Sequence, residues 1–459
     1  MDKPQQTSRR EFLRQSALFA GASLISTHAF GSIHIGKQTR VIVIGGGFAG
    51  LAAAYALKQK NVDVTVLESR NRIGGRVFSH TIDPKENLVV ELGAEWVGNS
   101  HERVRALCGE FGIPLLNNQF DTHLIYQNQY TKANAWDYSE NWKPKFQALL
   151  DGYKQLNETQ KEQLDGISWW RYLVNNGCEG KDLIIRELLD STDFGESIRH
   201  VSAMVALSEY AESSEKNEMD LKMQGGNTQL ARKFAEKIGT EHILTGHTVR
   251  RIEQKDNVTV TCDNGKTFEA DRLICAIPTF AIQKIQWEPG LPDVQAQAIN
   301  QLLYARINKN AILFKDRFWK DESFDLITDQ TPQYFYHATK NQKSKKGALI
   351  SYTIGDKAEL IANQDDAWRK DMLHQTLNPH FKGVRKRIDS QANYYWGTDK
   401  LSQGAYAIYG LNQWHTLRPI LQKQFLKTSF AGEHLADWQG FMEGAVATGE
   451  AAAVEALAI

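Results

Sequence analysis

The sequence predicts an α/β fold, α+β overall, in which one domain is assembled from segments that are far apart in the chain. An apolar, β-branched run at residues 41–44 precedes a glycine-rich turn. A second αβ passage opens at residues 224–226, and a third segment returns to strand and helix near Ser429. Continuous apolar runs are typical of buried parallel strands. The 459 residues are enough for two or three such domains.

The first segment contains a dinucleotide-binding pattern. Gly45, Gly47 and Gly50 give G-x-G-x-x-G between the strand at 41–44 and a helix predicted at 51–57. The first glycine permits a tight turn, the second lets the backbone approach a pyrophosphate, and the third lets the helix pack on the strand. A second strand, predicted at 62–67, ends in Glu68. An acid there binds ribose hydroxyls, which favours FAD or NAD over NADP.

The stretch after this acid favours FAD over NAD. Arg72, Gly74, Gly75 and Arg76 follow it directly. Arginine is suited to bidentate phosphate recognition, so these residues can add phosphate contacts. The alternative is a solvated basic turn. The sequence therefore predicts a Rossmann-like FAD-binding domain.

Composition excludes some classes of partner. Lys+Arg and Asp+Glu both number 54, so the net charge of zero gives no reason to expect nucleic acid or an anionic membrane as partner. The cysteines, Cys108, Cys178, Cys262 and Cys275, have no metal-ligand spacing. We therefore expect no metal site, and the spacing does not demand disulfides.

Residues 1–31 predict a twin-arginine signal peptide. Arg9 and Arg10 lie in S-R-R-E-F-L-R, before a modest apolar run at 17–25 and small residues near Ala29 and Gly31. The run is shorter than the ~20 residues that span a bilayer. The alternative is an amphipathic N-terminal helix. The signal predicts a periplasmic or secreted bacterial protein that uses the twin-arginine export machinery and has no stable membrane anchor.

The pattern in the middle of the chain predicts that the cofactor-binding domain is interrupted by other segments. A helical pattern covers 99–223, a helix is predicted at 228–238, and short β runs follow at 248–253, 258–263, 267–270 and 272–277. The chain leaves this passage after Pro289 and returns near Ser429. We predict an FAD-binding domain from 36–98, 224–289 and 426–459. A substrate-binding domain of mixed sheet and helices would comprise 99–223 and 290–425.

Five segments together resemble the flavin monoamine oxidase family, which includes monoamine, polyamine and L-amino acid oxidases. They are residues 41–76, E-L-G-A-E-W-V-G at 91–98, and residues 224–238, 275–278 and 430–453. The resemblance covers nearly all of the chain after the predicted signal. It is strongest at 68–76 and in W-Q-G-F-M-E-G-A at 438–445.

The resemblance implies FAD, held noncovalently because Ala405 stands where some family members have a cysteine that attaches the flavin. The helix that begins near Phe441 would direct its positive end at the flavin's pyrimidine edge, where charge develops on reduction. The cofactor-binding residues that the resemblance implies are Gly45, Gly47, Phe48, Ala49, Gly50, Glu68, Ser69, Arg70, Gly75, Arg76, Gly93, Ala94, Glu95, Trp96, Val249, Gly432, Glu433, Phe441 and Met442.

The resemblance also implies a catalytic set of Lys309, Tyr406 and Phe441. Strand alternation in Y-A-R-I-N-K-N-A-I-L-F places Lys309 among apolar neighbours, and the family bridges such a lysine by water to flavin N5. Tyr406 and Phe441 would form an aromatic cage that desolvates the substrate nitrogen. The alternative for each ring is an ordinary core aromatic.

The implied reaction oxidises the C–H bond beside an amine nitrogen, and the imine hydrolyses to an aldehyde or ketone. O2, giving hydrogen peroxide, or a periplasmic electron acceptor would reoxidise the flavin. The E-L-G loop lacks the arginine that amino acid oxidases usually carry there, which favours a small primary or secondary amine.

Three alternatives stay open. Arg103 and Arg306 keep an L-amino acid oxidase under consideration. A flavin-binding protein without amine turnover is disfavoured by the intact Lys309 and Tyr406. A desaturase or isomerase is disfavoured because no stretch predicts an apolar, membrane-facing entrance. The oligomeric state is open, with a homodimer as one option.

Overall fold

A five-stranded parallel sheet takes its strands from the beginning, middle and end of the chain. The computed structural model describes residues 39–212, 220–437 and 439–458, so the predicted signal peptide at 1–31 lies outside the described residues. In spatial order the strands are Thr428–Phe430, Arg272–Cys275, Arg40–Ile44, Asp63–Leu67 and Ile243–Leu244. All neighbouring pairs are parallel. This sheet confirms the predicted α/β class, while the domain boundaries stay a prediction.

Helices from separate parts of the chain cover one face of the parallel sheet. They are Phe48–Gln59, Glu102–Glu110, Thr228–Ile238 and Met442–Leu457. The last helix approaches the first very closely, because a Cβ on Gly449 would lie 2.1 Å from the carbonyl oxygen of Ala49. The glycine therefore permits a backbone contact that ties the end of the chain to its beginning.

The helix Phe48–Gln59 begins three residues before the predicted start. Its N-cap is Gly47, so the third glycine of the motif lies inside the helix. The first helical turn therefore belongs to the glycine-rich motif, which the apolar pattern of residues 51–57 could not show. The predicted helix at 228–238 is observed over the same residues.

A four-stranded sheet covers the other face of the parallel sheet, where both contribute to one apolar core. Its strands are Thr267–Ala270, Val258–Cys262, Val249–Gln254 and Gln286–Glu288. The first three are antiparallel, and the last joins in parallel. This agrees with the meander predicted between 248 and 277.

A seven-stranded sheet forms the other half of the fold. In spatial order its strands are Ile388–Tyr395, Ile307–Phe314, Gly347–Ile354, Tyr334–His337, Phe324–Thr328, Asp121–Tyr126 and Gln129–Thr131. The last two strands correct the expectation that 99–223 is helical, as does the pairing of Leu115–Asn117 with Leu221–Met223. These strands are three to six residues long, too short to interrupt a helical pattern read over longer windows.

The remaining elements are mostly helical. The α-helices are Trp142–Tyr153, Glu158–Asp165, Trp169–Asn175, Gly180–Phe194, Ala203–Glu212, Thr279–Ile282, Asp293–Gln301, Gly355–Ala362, Asp366–Leu377, Val384–Arg387, Gln413–Thr416 and Arg418–Leu421. Short 3-10 turns are Ala133–Ala135, Thr240–His242, Trp396–Thr398 and Glu433–Leu435. Two further strand pairs join Leu303–Tyr304 to Ala407–Ile408 and Ser79–Asp83 to Leu88–Glu91. None of the helices within the described ranges has the length and apolarity needed to cross a membrane.

Candidate active site

A cavity of about 990 Å³ extends from the glycine-rich turn to the seven-stranded sheet. Nearly all of the predicted site residues line it. They are Gly45, Gly47, Phe48, Ala49, Glu68, Ser69, Arg70, Gly75, Arg76, Gly93, Ala94, Glu95, Trp96, Val249, Lys309, Tyr406, Gly432, Glu433, Phe441 and Met442. The structure thus brings residues from both ends of the chain to one cavity, while their individual roles stay predictions.

Gly50 is the exception, because it packs inside the turn instead of lining the cavity. A Cβ on Gly50 would lie 1.9 Å from the carbonyl oxygen of Gly45. A Cβ on Gly47, in contrast, would have no protein atom nearer than the Cα of Gly75 at 4.0 Å. The backbone at Gly47 therefore borders free space, which is the geometry that a closely approaching pyrophosphate requires. The turn fits a dinucleotide cofactor.

Glu68 is held at the end of its strand by backbone donors. Its carboxylate accepts hydrogen bonds from the N–H of Gly46 at 2.6 Å and from the N–H of Arg70 at 2.7 Å. Burial raises the pKa of Glu68, and these N–H groups oppose that rise. The carboxyl is thereby fixed at the cavity wall, where the sequence predicts the ribose.

Arg70 is bound to the protein rather than free for bidentate phosphate contact. Its guanidinium donates to the two carboxylate oxygens of Asp399 at 2.9 and 2.6 Å and to the hydroxyl of Ser402 at 2.8 Å. Burial opposes ionisation of Asp399, but hydrogen bonds from Arg70 and Tyr394 outweigh it and lower its pKa to about 2. This ion pair joins the basic loop, residues 70–76, to the loop that precedes Tyr406.

Glu433 links three parts of the site. It accepts hydrogen bonds from the guanidinium of Arg76 at 2.5 Å, from the N–H of Ala407 at 3.2 Å and from the N–H of Gly440 at 2.8 Å. The basic loop, the strand after Tyr406 and the turn before the last helix are therefore held together by one buried carboxylate.

Lys309 is 5% exposed and lies in a network of buried charges. Its ammonium donates to the carbonyl oxygens of Gly93 at 2.8 Å and Glu91 at 3.3 Å, and to the carboxylate of Glu95 at 3.3 Å. Burial lowers the pKa of Lys309, and the Glu95 carboxylate opposes that shift. A lysine with a lowered pKa can exchange protons nearer neutral pH than an exposed one.

Two members of this network, Lys222 and Tyr336, were not predicted from the sequence. Glu95 also accepts hydrogen bonds from the ammonium of Lys222 at 2.9 Å and from the hydroxyl of Tyr336 at 2.6 Å. Desolvation would raise the pKa of Glu95, but Lys222 and Lys309 outweigh it and lower the pKa. In the sequence, the sign of a buried role for Lys222 was that this lysine is flanked by two apolar residues, Leu221 and Met223.

Tyr406 and Phe441 lie close together at the cavity. A Cβ on Gly440 would be 3.3 Å from a ring carbon of Tyr406, which places that ring against the residue before Phe441. The Tyr406 hydroxyl donates to the carbonyl oxygen of Asp193 at 3.1 Å and lies 3.2 Å from the hydroxyl of Tyr352. Burial raises the pKa of Tyr406 well above its ordinary value, so it remains a neutral phenol.

The last helix directs its N-terminus at the cavity. Phe441 is its N-cap, and both Phe441 and Met442 line the cavity wall. The acidic residue in its first turn, Glu443, accepts hydrogen bonds from the N–H groups of Arg103 and Val104, each at 2.9 Å. Glu443 therefore caps the neighbouring helix, and the positive end of the last helix faces the cavity.

Carboxylates border the part of the cavity nearest to Tyr406, which we name the substrate end. Asp190, Asp193 and Glu209 line it. Arg186 also lines it, but its guanidinium pairs with Asp190 at 2.9 Å. Acidic side chains therefore predominate among these four residues.

The two arginines considered as carboxylate partners point elsewhere. Arg103 pairs with Glu450 at 2.7 Å, and Arg306 pairs with Glu196 at 3.0 Å. Neither is among the described residues that line the cavity.

The cysteines contribute no chemistry to this cavity. Cys108, Cys178, Cys262 and Cys275 are buried, free thiols, and burial raises the pKa of the Cys275 thiol to about 12. Such thiols are unreactive. Over residues 39–212, 220–437 and 439–458 there is no group of three or more His, Cys, Asp or Glu that could hold a metal ion.

A dinucleotide-binding turn at one end of a cavity, with a buried lysine and two aromatic side chains at the other, fits a flavin-dependent oxidoreductase. Residues 48–457 match the sequence profile of the flavin containing amine oxidoreductases. The chain belongs to this family; it binds FAD and oxidises amines. The resemblance found in the sequence is thus confirmed.

The relatives include amine oxidases of similar length. Polyamine oxidase 2 of Arabidopsis thaliana is 28% identical over 441 residues, which are 91% of this chain and 88% of that protein. The probable flavin-containing monoamine oxidase A of Dictyostelium discoideum is 24% identical over 454 residues, 89% of this chain and 95% of that protein.

Solved structures share the fold. Wild-type putrescine oxidase bound to putrescine superposes with a TM-score of 0.82 at 22% identity, covering 92% of this chain and 100% of that one. Cyclohexylamine oxidase from Brevibacterium oxydans gives a TM-score of 0.80 at 21% identity, covering 92% and 99%.

Proposed function

We propose that the protein oxidises a small primary or secondary amine, aromatic or aliphatic, at the C–H bond beside its nitrogen. The observation that carries this proposal is the buried Lys309, which meets Tyr406 and Phe441 in the same cavity as the dinucleotide-binding turn. FAD, when bound, supplies the two-electron acceptor for this chemistry. The imine product then hydrolyses to an aldehyde or ketone.

Lys309 would accept or donate a proton at the end of the cavity. The Gly93 carbonyl and the Glu95 carboxylate hold its ammonium in place, and burial lowers its pKa. A positioned group of this kind typically contributes ~10²–10⁴ to a rate.

Tyr406 and Phe441 would exclude water from the substrate nitrogen. The Tyr406 hydroxyl is anchored on the Asp193 carbonyl, so the phenol ring is fixed in orientation. An amine that enters between aromatic rings is desolvated, which favours the neutral, reactive form of its nitrogen.

The side chains of the substrate end support an amine over an amino acid. Asp190, Asp193 and Glu209 line it, and Arg186 is already paired with Asp190. The described lining of this end thus offers a substrate carboxylate no arginine other than the one already paired with Asp190.

We also infer export through the twin-arginine machinery to the periplasm or the medium. The motif S-R-R-E-F-L-R, followed by a short apolar run, supports this. O2 would reoxidise the flavin and yield hydrogen peroxide, unless a periplasmic acceptor replaces it, and a homodimer is the oligomer to test. Cell fractionation, a peroxidase-coupled assay and light scattering check these three points.

The decisive experiment mixes the purified enzyme anaerobically with tyramine and, separately, with tyrosine while flavin absorbance is followed. The two differ by a carboxylate. Bleaching by tyramine alone supports an amine oxidase. Bleaching by tyrosine alone overturns the amine assignment in favour of an L-amino acid oxidase. If neither bleaches the flavin, a wider amine panel is required, and failure of the whole panel refutes the proposal.

A further inference from the structure

The carboxylate of Glu95 is shared by two lysines. Its Oε1 lies 2.9 Å from the ammonium of Lys222, and its Oε2 lies 3.3 Å from the ammonium of Lys309. The side chain of Glu95 is fully buried, and those of the two lysines are nearly so. Water therefore screens these charges little, so each acts strongly on its neighbours. The protonation of one lysine is thus coupled to the charge of the other.

The two lysines differ in what they can reach. Lys309 and Glu95 line the cavity, whereas Lys222 is absent from the described cavity lining. Lys222 lies in the strand Leu221–Met223, and its ammonium also donates to the carbonyl oxygen of Ala338 at 2.8 Å. Lys222 is therefore placed to act on the reaction through Glu95 and Lys309, and not by contact with a substrate.

Charge balance gives Lys222 and Glu95 opposite effects on Lys309. With both lysines protonated and Glu95 ionised, the three side chains carry one excess positive charge. Loss of a proton from Lys309 leaves Lys222 and Glu95 as a neutral pair, which burial favours. Without the charge of Lys222, Glu95 and Lys309 are neutral together only while Lys309 keeps its proton. Lys222 therefore favours the neutral amine of Lys309, and Glu95 favours its ammonium.

The pKa of Lys309 responds with the same signs. Burial is the largest effect and lowers this pKa. The charge and hydrogen bond of Glu95 raise it, the charge of Glu91 raises it, and the charge of Lys222 lowers it. The directions thus agree with the charge balance that the contacts define.

Glu91 and three tyrosines also surround Lys309. Across the described ranges the Glu91 carboxyl forms no ion pair with either lysine, and burial raises its pKa. The rings of Tyr336 and Tyr352 lie 5.7 and 5.8 Å from the Lys309 Nζ, and Tyr394 is paired with Lys309 on the neighbouring strand. Burial raises the pKa of all three phenols, so they stay neutral near neutral pH. The ion pair with Glu95 is therefore the direct charge contact of Lys309 within the described residues.

We propose that Glu95 and Lys222 are positioning residues that set, in opposite directions, the protonation state in which Lys309 meets the substrate. Glu95 holds the proton on the Lys309 Nζ, and Lys222 promotes its release. This proposal deepens the proposed function, and it rests on that function for the step in which the proton moves.

The test first identifies the ionisation of Lys309. The limiting rates of anaerobic flavin reduction and of reoxidation are measured in the wild type and in Lys309→Met from about pH 6 to about pH 10, which brackets a pKa lowered from 10.5. A second readout requires no turnover. The midpoint potential of the bound flavin is measured over the same pH range, because its slope changes at the pKa of a group coupled to reduction. The ionisation that Lys309→Met removes from these profiles is that of Lys309.

Two variants then test the signs. Glu95→Gln should move this ionisation to lower pH by about one unit or more, because the ammonium loses its carboxylate. Lys222→Met should move it to higher pH by about one unit or more, because the carboxylate then faces one cation alone. Lys222→Arg keeps the charge and should restore the wild-type value.

A control and a second variant keep the test decisive. Lys357→Met is the control, because Lys357 donates to the carbonyl oxygen of Gln330 at 3.1 Å and is absent from the described cavity lining. It should leave the ionisation unmoved. If Lys222→Met does not retain flavin, Tyr336→Phe replaces it. The Tyr336 hydroxyl donates to Glu95 at 2.6 Å, so its loss strengthens the negative potential at Lys309 and should move the ionisation to higher pH.

Opposite shifts in Glu95→Gln and Lys222→Met support the inference, because a structural defect would not reverse its sign between them. Shifts of one sign, no shift in either variant, or a Lys222→Arg profile like that of Lys222→Met overturns it. The inference is also overturned if Lys309→Met removes no ionisation from any profile.

The potential measurement separates this inference from the proposed function. If no amine reduces the flavin while the change of slope still moves in opposite directions, the proposed function fails and the roles of Glu95 and Lys222 stand. If amines reduce the flavin and the two variants show no opposite shifts, the function stands and the inference is overturned.

Discussion

Asp325→Asn should stabilise the folded protein relative to the wild type as the pH rises. The pKa of Asp325 is raised from 3.8 to about 7 by burial. Between these values the unfolded chain releases the proton while the folded protein retains it. The folded state then binds more protons, so the free energy of unfolding falls as the pH rises through this window and is constant above it. Asparagine has the same shape but does not titrate.

The magnitude follows from the width of the window. Between pH 5 and pH 7 the shift covers two units, each worth about 1.36 kcal/mol, which gives about 2.7 kcal/mol. For 459 residues, an unfolding entropy of ~2.1 cal/mol/K per residue makes this about 3 °C in Tm.

Differential scanning calorimetry of both holoenzymes at pH 5 and pH 8, at one scan rate, measures the effect. The Tm difference between Asp325→Asn and the wild type should grow by about 3 °C at the higher pH. Asp256→Asn, at an exposed acid that does not contribute to the Asp325 shift, is the control and should show no such growth. An equal Tm difference at both pH values would refute the reasoning, since the carboxyl would then not be protonated in the fold.

Three further predictions concern the cofactor and catalysis. Gly50→Ala should abolish FAD binding, because its Cβ would lie 1.9 Å from the Gly45 carbonyl oxygen. The control Gly152→Ala, whose Cβ would have no atom within 4 Å, should retain full flavin absorbance per protein. Equal absorbance in the two variants would contradict this prediction. Lys309→Met should keep FAD but slow a half-reaction in stopped flow by roughly tenfold or more, and wild-type rates of reduction and reoxidation would exclude a role for the lysine. Acid precipitation should release all FAD, since Ala405 offers no thiol; yellow colour in the pellet would disprove noncovalent binding.

The cofactor half was predictable because its chemistry is local. The strand, glycine-rich turn and helix around Gly45 and Gly47 follow one another within 20 residues. The spacing of the glycines in the motif shows where the turn has no room for a side chain. Thr228–Ile238 followed from helical periodicity in the same way. The resemblance then supplied Lys309, Tyr406 and Phe441, which the periodicity of their segments alone could not distinguish from core residues.

The substrate half was less predictable because its partners are distant in sequence. Lys222 and Glu95 are 127 residues apart, and the Tyr336 hydroxyl reaches Glu95 over 241 residues. Asp325 stands alone between Phe324 and Leu326, where strand alternation indicates a face but not the cavity on the other side. Only the pairing of strands within the seven-stranded sheet brings these groups together.

The contact between Gly449 and Ala49 determines when, during folding, the cofactor turn becomes covered. The first βα unit and the last helix enclose the cofactor turn from opposite ends of the chain, and the edge strand Thr428–Phe430 completes the sheet only shortly before that helix. While the chain is still on the ribosome, the glycine-rich turn lacks its covering. Closure then requires contacts between regions about 400 residues apart, which are slow to form. The covering of the cofactor turn therefore depends on residues from both ends of the chain.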